Sequence, residues 1–289
     1  MKLSVVIAAR HGSTPALRCV ESLRASPRWG SFEVIVVNCL GVKAAAEFKL
    51  ASAEVTLVAA DPGWRIGRQR DAGVRKATGD IVAVLHERYQ VPSGWVDAVL
   101  KTHASDYEVA AGAVIPGARL SAAAWAMYFS EYSHLCLSGA SGVLKAAEAR
   151  MIPSGNVSYK RQAFSLADMA SARSDLEFHS ALFAAGARFF RGTQMQATFG
   201  TPYSLREYIG ERFDVSRDIA IERAIDLGLA QRCAAAGLRL ALPGLILARV
   251  AARVCAEEDF RKPFITALPW ILVFGCVQMI GEMSGYLAR

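Results

Sequence analysis

The sequence predicts an α/β fold with a mostly parallel central sheet in its first two-thirds, followed by an apolar helical tail. Three observations predict it. Runs at 3–9, 32–38, 54–60 and 81–85 are apolar on both faces, as strands are when helices cover both sides of a sheet. Stretches of helical composition separate these runs, giving the strand–helix–strand order of a parallel sheet. The apolar excess, 53% of 289 residues, is concentrated after about residue 225.

"LSVVIAA" (3–9) is the first strand, and Thr14-Pro15 opens a helix over "ALRCVESLRAS", with proline where its missing N–H costs least. "FEVIVVN" (32–38) is the second strand, residues 44–53 form a helix, and "EVTLVAA" (54–60) is the third strand. Asp61-Pro62-Gly63 turns the chain, residues 68–77 are helical, and Ile81 to Leu85 make the fourth strand. Asn38, Asp61 and the run His86-Glu87-Arg88 then fall beyond the carboxyl ends of strands, where such sheets bind ligands. Each alone reads equally well as a solvated loop end; their convergence marks a site.

Further on, "EVAAGAVIP" (108–116) is a strand and "SAAAWAMYFSEY" (121–132) a mostly apolar helix carrying Glu131. "SGNVSYKRQAF" (154–164) is a turn and a short strand, and "SDLEFHSALFAAG" (174–186) is a helix ended by Gly186 before another strand. "YSLREYIGERFDVSRDIAIERAIDLG" (203–228) is helical and rich in arginine. "LRLALPGLILARVAARVCA" (238–256) carries Arg239, Arg249, Arg253 and a proline break, and reads as a basic interfacial helix rather than a span. Phe264 to Gly281 gives 18 uncharged residues, the threshold for a span, with Pro269 and Glu282 counting against one. A core helix of a globular domain is the alternative. Arg261 and Lys262 flank its start, as a cytoplasmic end would require. The chain is thus expected to divide into an α/β domain over 1–200 and a membrane-associating helical region over 201–289.

The net charge of +7 suits an anionic membrane surface or a phosphorylated ligand. Nucleic acid is excluded as a partner, because no Lys/Arg block with interleaved aromatics occurs. The six cysteines show no CxxC or metal-ligand spacing and read as small buried hydrophobes in a reducing compartment. "MKLSVVIAARHG" runs straight into a strand and not into a signal peptide, so the α/β domain is expected on the cytoplasmic face of the plasma membrane.

The stretch "GWRIGRQRDAGVRKATGDIVAVLHERYQVPSGW" (63–95) resembles the core of the family 2 glycosyltransferases, inverting GT-A enzymes that use nucleotide-diphosphate sugars. Arg70, Asp71 and Gly73 match the family's Ala-Arg-Asn-x-Gly-Ile helix, with Asp in place of Asn. Gly79-Asp80, Pro92 and Trp95 match as well, and "SVVIAA" and "FEVIVVN" are similar to its first two strands. "WAMYFSEY" (125–132), "GNVSYKR" (155–161) and "GEMSGYL" (281–287) resemble a membrane-associated bacterial branch of the family.

The resemblance implies transfer of a sugar, with inversion, from an NDP-sugar, UDP favoured, to a hydroxyl of a lipid-linked or envelope-glycan acceptor at the membrane. It implies donor binding by Ala8, Arg10, Asn38, Arg70, Asp71, Glu87 and Arg88. In the family an acidic cluster at the fourth strand's tip holds Mg²⁺ or Mn²⁺ against the diphosphate. Aligned on Pro92, this chain keeps Glu87 as a metal ligand but has Arg88 for the second acid and Tyr89 for the family's His. Glu87 then holds a metal with help from Asp80 or His86, or Arg88 neutralises the diphosphate without one. A third outcome is lost donor binding, which would leave a non-catalytic GT-A-like subunit partnering another membrane glycosyltransferase. The bland reading of Glu87 and Arg88 is a surface ion pair of little energetic consequence.

Asn38 stands where the family has a base-binding Asp, and also reads as a turn residue. Counting back from Gly186 puts Asp175 on the family's catalytic base and Glu177 on its second acid. Asp175 equally suits a helix N-terminus. His179, one turn on, either orients Asp175 or packs. Arg212 and Arg217 are implied contacts to diphosphate or lipid phosphate, against the alternative of a solvated basic face. A nucleotidyltransferase would need a Gly-rich basic loop after the first strand, of which "AARHGSTPALR" is a thin version.

Overall fold

A computed structural model describes residues 1–51, 54–136, 141–149, 152, 155–172, 174–200 and 203–288, the side chains of 134–136 excepted. The end of the helix expected over 44–53, the turn residue at 154 and the side chain of Cys136 lie outside the described residues. The chain forms two compact units: Met1–Ile115 with Gly139–Thr201, and Pro116–Ser138 with Pro202–Arg289. Residues 116–138, assigned to the first domain by sequence, belong to the second unit. Their aromatic side chains explain why: Trp125, Tyr128 and Phe129 pack on Phe260, and Phe129 also on Phe264.

The first unit is built on one sheet. Its elements begin β1 (Leu3–Ala9), α1 (Ser13–Arg24), β2 (Glu33–Asn38), α2 (Val42–Ala51), β3 (Thr56–Ala59), α3 (Ile66–Lys76) and β4 (Ile81–His86). They continue with β5 (Tyr89–Gln90), α4 (Trp95–His103) and β6 (Val109–Pro116). In the second unit lies α5 (Ala122–Cys136), after which the first resumes with β7 (Gly142–Val143), α6 (Ala146–Ala149), β8 (Asn156–Lys160), α7 (Asp175–Ala184) and β9 (Phe189–Phe199). The sheet order is β3-β2-β1-β4-β8-β6-β9-β5, with β7 on β9.

The four apolar runs form the expected parallel half, β3-β2-β1-β4. Beyond β4 the sheet continues through the antiparallel strand β8. All seven residues of β1 are buried, as a strand covered on both faces requires. Parallel register pairs Ala8 with His86 and Ala9 with Asn38, so the carboxyl ends of β1, β2 and β4 lie side by side.

Helix α3 crosses this half on a small residue. A Cβ on Gly73 would stand 2.5 Å from Val6 Cγ1 and 2.8 Å from Val37 Cγ2, so glycine sets how close α3 lies to β1 and β2. Helix α7 is capped by Ser174, whose side chain accepts the Glu177 N–H at 3.3 Å. It ends at Gly186, whose φ of 89° suits a residue without a Cβ.

The second unit is helical: α5, α8 (Leu205–Arg223), α9 (Leu229–Leu238), α10 (Leu242–Val254) and α11 (Glu258–Leu287). Helix α11 runs unbroken through Pro263 and Pro269. It approaches α8 closely through Gly281 and Gly285, where added Cβ atoms would meet the Phe213 and Arg217 carbonyls. Leu229–Val254 and Glu258–Leu287 are both long and apolar enough to cross a membrane, so the first passes a test that its arginines had counted against. Cys19 and Cys39 are buried as expected, but Cys233, Cys255 and Cys276 are exposed on this unit, correcting the reading of the cysteines as buried hydrophobes.

Gly73→Val should lower stability by about 1–3 kcal/mol through overpacking against Val6 and Val37. Gly210→Ala, where a Cβ in mid-α8 meets nothing within 4 Å, should instead raise it by up to about 1 kcal/mol. Urea unfolding followed by circular dichroism measures both; equal effects would refute the close approach of α3.

Candidate active site at the carboxyl ends of the parallel strands

Glu87 follows the last residue of β4 and is 2% exposed. A carboxylate so buried must be hydrogen-bonded to be tolerated. Its Oε2 accepts the Arg10 N–H at 3.0 Å, and its Oε1 accepts the His11 N–H at 3.2 Å and lies 2.7 Å from His11 Nδ1. The carboxylate thus fastens the β1–α1 loop to the tip of β4. His11 was not anticipated; the signal available was its place directly after the first strand, across the sheet from the tip.

His86 makes the neighbouring constraint. Its Nδ1 accepts the Arg88 N–H at 3.1 Å, which fixes Nδ1 as the unprotonated nitrogen of the neutral ring, and the ring packs on Tyr89 with centroids 5.1 Å apart. Its pKa is pushed down to about 3, first by burial and then by the positive charges of Arg70, His11, Arg88 and Arg10. Those four groups describe the electrostatics of the tip. Arg88 is 4% exposed, so the reading of Glu87 and Arg88 as a surface ion pair is corrected: both are buried.

Arg70, on the buried face of α3, reaches across to Asp175 at the start of α7, with Nη1 2.7 Å from Oδ1. Ser174 serves as the cap, and the Asp175 side chain that follows it is 32% exposed. Glu177, half-buried, shares the first turn of α7. His179 is fully buried, pairs with the Tyr159 hydroxyl at 2.8 Å and packs among Phe178 and Phe189, so packing is its role.

Other expected residues are placed differently. Asn38 Oδ1 accepts the Leu40 N–H at 3.0 Å and its Nδ2 donates to the Gly41 carbonyl at 2.8 Å, so the turn role is the one realised. Asp71 pairs with Arg75 one turn along α3 at 2.5 Å. Ala8 lies opposite His86 and contributes backbone and close approach only. Arg212 donates to Glu131 and, at 2.6 Å, to Gln278, inside the helical unit. Its assignment as a phosphate contact is therefore corrected, because its charge is already matched. Arg217 lies half-buried on the same helix, its carbonyl facing Gly285.

The residues do not fit a dication in the manner of the family's acidic cluster. Glu87 is the single carboxylate at the tip and its oxygens already hold the loop donors, and His86 Nδ1 accepts the Arg88 N–H. Asp80 lies at the other end of β4, accepting the Lys2 N–H, about 20 Å away at the usual rise per residue. Among the described residues no group of three or more His, Cys, Asp and Glu side chains is placed to hold a metal ion.

Residues 4–165 match the profile of Glycosyl transferase family 2, more than half of the chain. The chain belongs to that family. Solved structures agree on the fold. Residues 1–349 of S. aureus TarS match with a TM-score of 0.53 at 14% identity, covering 98% of this chain and 89% of that one. The mannosyltransferase PcManGT of Pyrobaculum calidifontis, solved with GDP-Man and Mn²⁺, matches with a TM-score of 0.53 at 15% identity, covering 95% and 86%. TarS with UDP-GlcNAc matches at 0.52 and 13% identity, covering 95% and 90%. No curated protein matches the sequence. This glycosyltransferase thus has the GT-A fold that its motifs implied.

His86, His103 and His179 all have pKa values pushed down by burial, to about 3, 4 and 4. Unfolded, they take up protons near pH 6.5, so the unfolded chain gains protons first as pH falls. Stability should be full above about pH 6.5 and decline toward pH 4, by on the order of a few kcal/mol. Thermal midpoints between pH 7.5 and 4.5 test this; a flat profile would mean that these rings are hydrated.

Proposed function

We propose that this family 2 enzyme transfers one sugar, with inversion, from an NDP-sugar, UDP favoured, to a hydroxyl of a lipid-linked or envelope-glycan acceptor. The observation that carries the reading is the Arg70–Asp175 pair, which joins a donor-side helix to a solvent-open carboxylate beside the cationic tip of β4. Nucleotide and nucleotide-sugar ligands in the neighbouring structures support the donor class.

In the reaction Asp175 accepts the proton of the acceptor hydroxyl as its oxygen forms a bond to the anomeric carbon. The bond from that carbon to the diphosphate oxygen breaks on the opposite face, and the electron pair leaves with the nucleoside diphosphate. Arg70 fixes the carboxylate through Oδ1, and Glu177 adds negative charge to the same helix turn. Positive groups at the tip oppose the charge that develops on the leaving diphosphate.

The helical unit supports attachment to the membrane surface in the plane of the bilayer. Helix α11 exposes Ile265, Leu272, Val273, Cys276 and Ile280 along one stripe. Its other side packs on α8 through Phe274 on Tyr208 and Gln278 on Arg212. Helix α8 carries Glu211, Asp214, Arg217, Asp218, Glu222 and Arg223, and a spanning α11 would drag these charges into hydrocarbon. An in-plane α11 keeps them wet while its stripe meets lipid, with Arg249, Arg253, Arg261 and Lys262 exposed nearby for anionic headgroups. The cytoplasmic face of the plasma membrane is the side that supplies nucleotide sugars.

Asp175→Asn should retain UDP binding while UDP release from UDP-sugar with membrane acceptor falls by about 10²–10⁴-fold. A wild-type rate in this variant would sink the assignment. In a variant keeping Cys255 as its only cysteine, a membrane-impermeant maleimide should label inverted, cytoplasm-out vesicles, because an in-plane hairpin leaves its turn on that side. Labelling only of right-side-out cells would establish a spanning hairpin instead.

A further inference from the structure

We infer that the exposed face of α10 docks on anionic phospholipid, with Arg249 and Arg253 contacting the headgroup phosphates. The inference rests on the in-plane attachment proposed above and names the lipid class on which that attachment depends.

The first ground is the charge pattern. Residues 227–256 contain four arginines and no acidic residue, whereas α8 carries both signs. The structure divides the four into two pairs. Arg232 and Arg239 turn inward. Arg232 donates to the Leu227 and Ala288 carbonyls at 3.0 and 3.1 Å, and Arg239 holds Glu282 at 2.9 Å and the Tyr286 hydroxyl at 3.0 Å. Arg249 and Arg253 are exposed, and among the described residues neither has an ion-pair partner. They stand four residues apart, so both side chains leave the helix on the same side.

The second ground is where that pair sits on the helix. Val250 and Val254 are buried, while Leu245, Ala248 and Ala252 are exposed. Each arginine follows an exposed alanine by one residue, about 100° round the helix, which puts the pair at one edge of the apolar arc. Leu229–Val254 is long and apolar enough to cross a membrane, yet only 17% of its most apolar stretch is buried within the protein. A crossing α10 would carry two cations without acidic partners into hydrocarbon. Lying in the interface, the arc meets acyl chains while the long arginine stems reach the phosphates.

Arg261 and Lys262, on the first turns of α11, contribute less. Three exposed acids, Glu257, Glu258 and Asp259, stand just before them, and Arg261 lies 3.6 Å from Glu258. Their local charge is thereby offset, and the α10 pair is what distinguishes an anionic surface from a neutral one.

The test adds the full chain, diluted from detergent, to preformed vesicles of phosphatidylcholine, alone or with about a third phosphatidylglycerol, and reads bound protein by flotation. The parent should partition onto the anionic vesicles at least about tenfold better than onto the neutral ones, and about 1 M salt should remove the difference. Arg249→Gln and Arg253→Gln should each lower binding to the anionic vesicles about fivefold, at unchanged circular dichroism, and leave binding to neutral vesicles as it was. Lys262→Gln should change it by less than about twofold. Equal partition of the parent onto both kinds of vesicle, or a double arginine variant that keeps the preference, would overturn the inference and leave surface attachment intact. A loss in Lys262→Gln as large as in Arg249→Gln would overturn the assignment to α10. A chain that floats with neither kind of vesicle would overturn the in-plane attachment as well.

Discussion

One buried carboxylate organises the site. Glu87 lies where an apolar strand ends, and burial of its charge is tolerable only because the β1–α1 loop turns three donors toward it. The loop is in turn fixed in height by the parallel register of β1 and β4, which sets Ala8 against His86. Strand pairing, loop geometry and the location of the arginines are thus one constraint. A change in register of a single residue would turn the tip inside out, since alternate residues face opposite sides of a sheet.

The second link spans 105 residues of sequence. Arg70 and Asp175 meet because α3 lies close on the parallel half of the sheet and α7 follows the antiparallel strand β8, which is the neighbour of β4. Gly73 lets α3 sit near enough for Arg70, three residues earlier and on the same buried face, to reach the start of α7. Ser174 takes over the capping duty, so the acid that follows it is not consumed by its own helix. On the proposed reading a donor-side cation and an acceptor-side base are thereby held in one piece of geometry, and preorganisation of that kind is what electrostatic catalysis draws on.

The strands β1, β2 and β4 were legible because burial on both faces leaves no room for polar residues, so their boundaries follow the apolar runs to within a residue. Motif order singles out Arg70 and Asp175, and the structure brings their side chains together. Other features were hidden because side chains choose between partners that sequence does not rank. Asn38 has both a base-binding and a turn role open to it, and the turn takes it because Leu40 and Gly41 are already within reach. Glu87 reads as a ligand until the loop donors are seen. Arg212 reads as a phosphate contact until Glu131, 81 residues earlier, is found beside it in a segment that the strand–helix pattern assigns to the other unit.

The helical unit resolves an apparent contradiction in the composition. Its helices are apolar enough for a bilayer, yet Glu282 is buried among Arg239 at 2.9 Å, Arg223 at 3.6 Å and Gln278 at 3.0 Å. In a spanning helix that carboxylate would face a large desolvation cost from its position alone. Here the cost is met by partners on α8 and on the turn before α10, while the uncharged stripe of α11 faces outward. The same helix therefore packs Glu282 and Gln278 against protein partners together with Phe274 and two glycines, and leaves Ile265, Leu272, Val273 and Ile280 exposed. Its charged first turns stay exposed and its one buried carboxylate is held by protein partners, so the exposed apolar stripe lies between a wet end and a packed one, the arrangement that the proposed in-plane attachment uses.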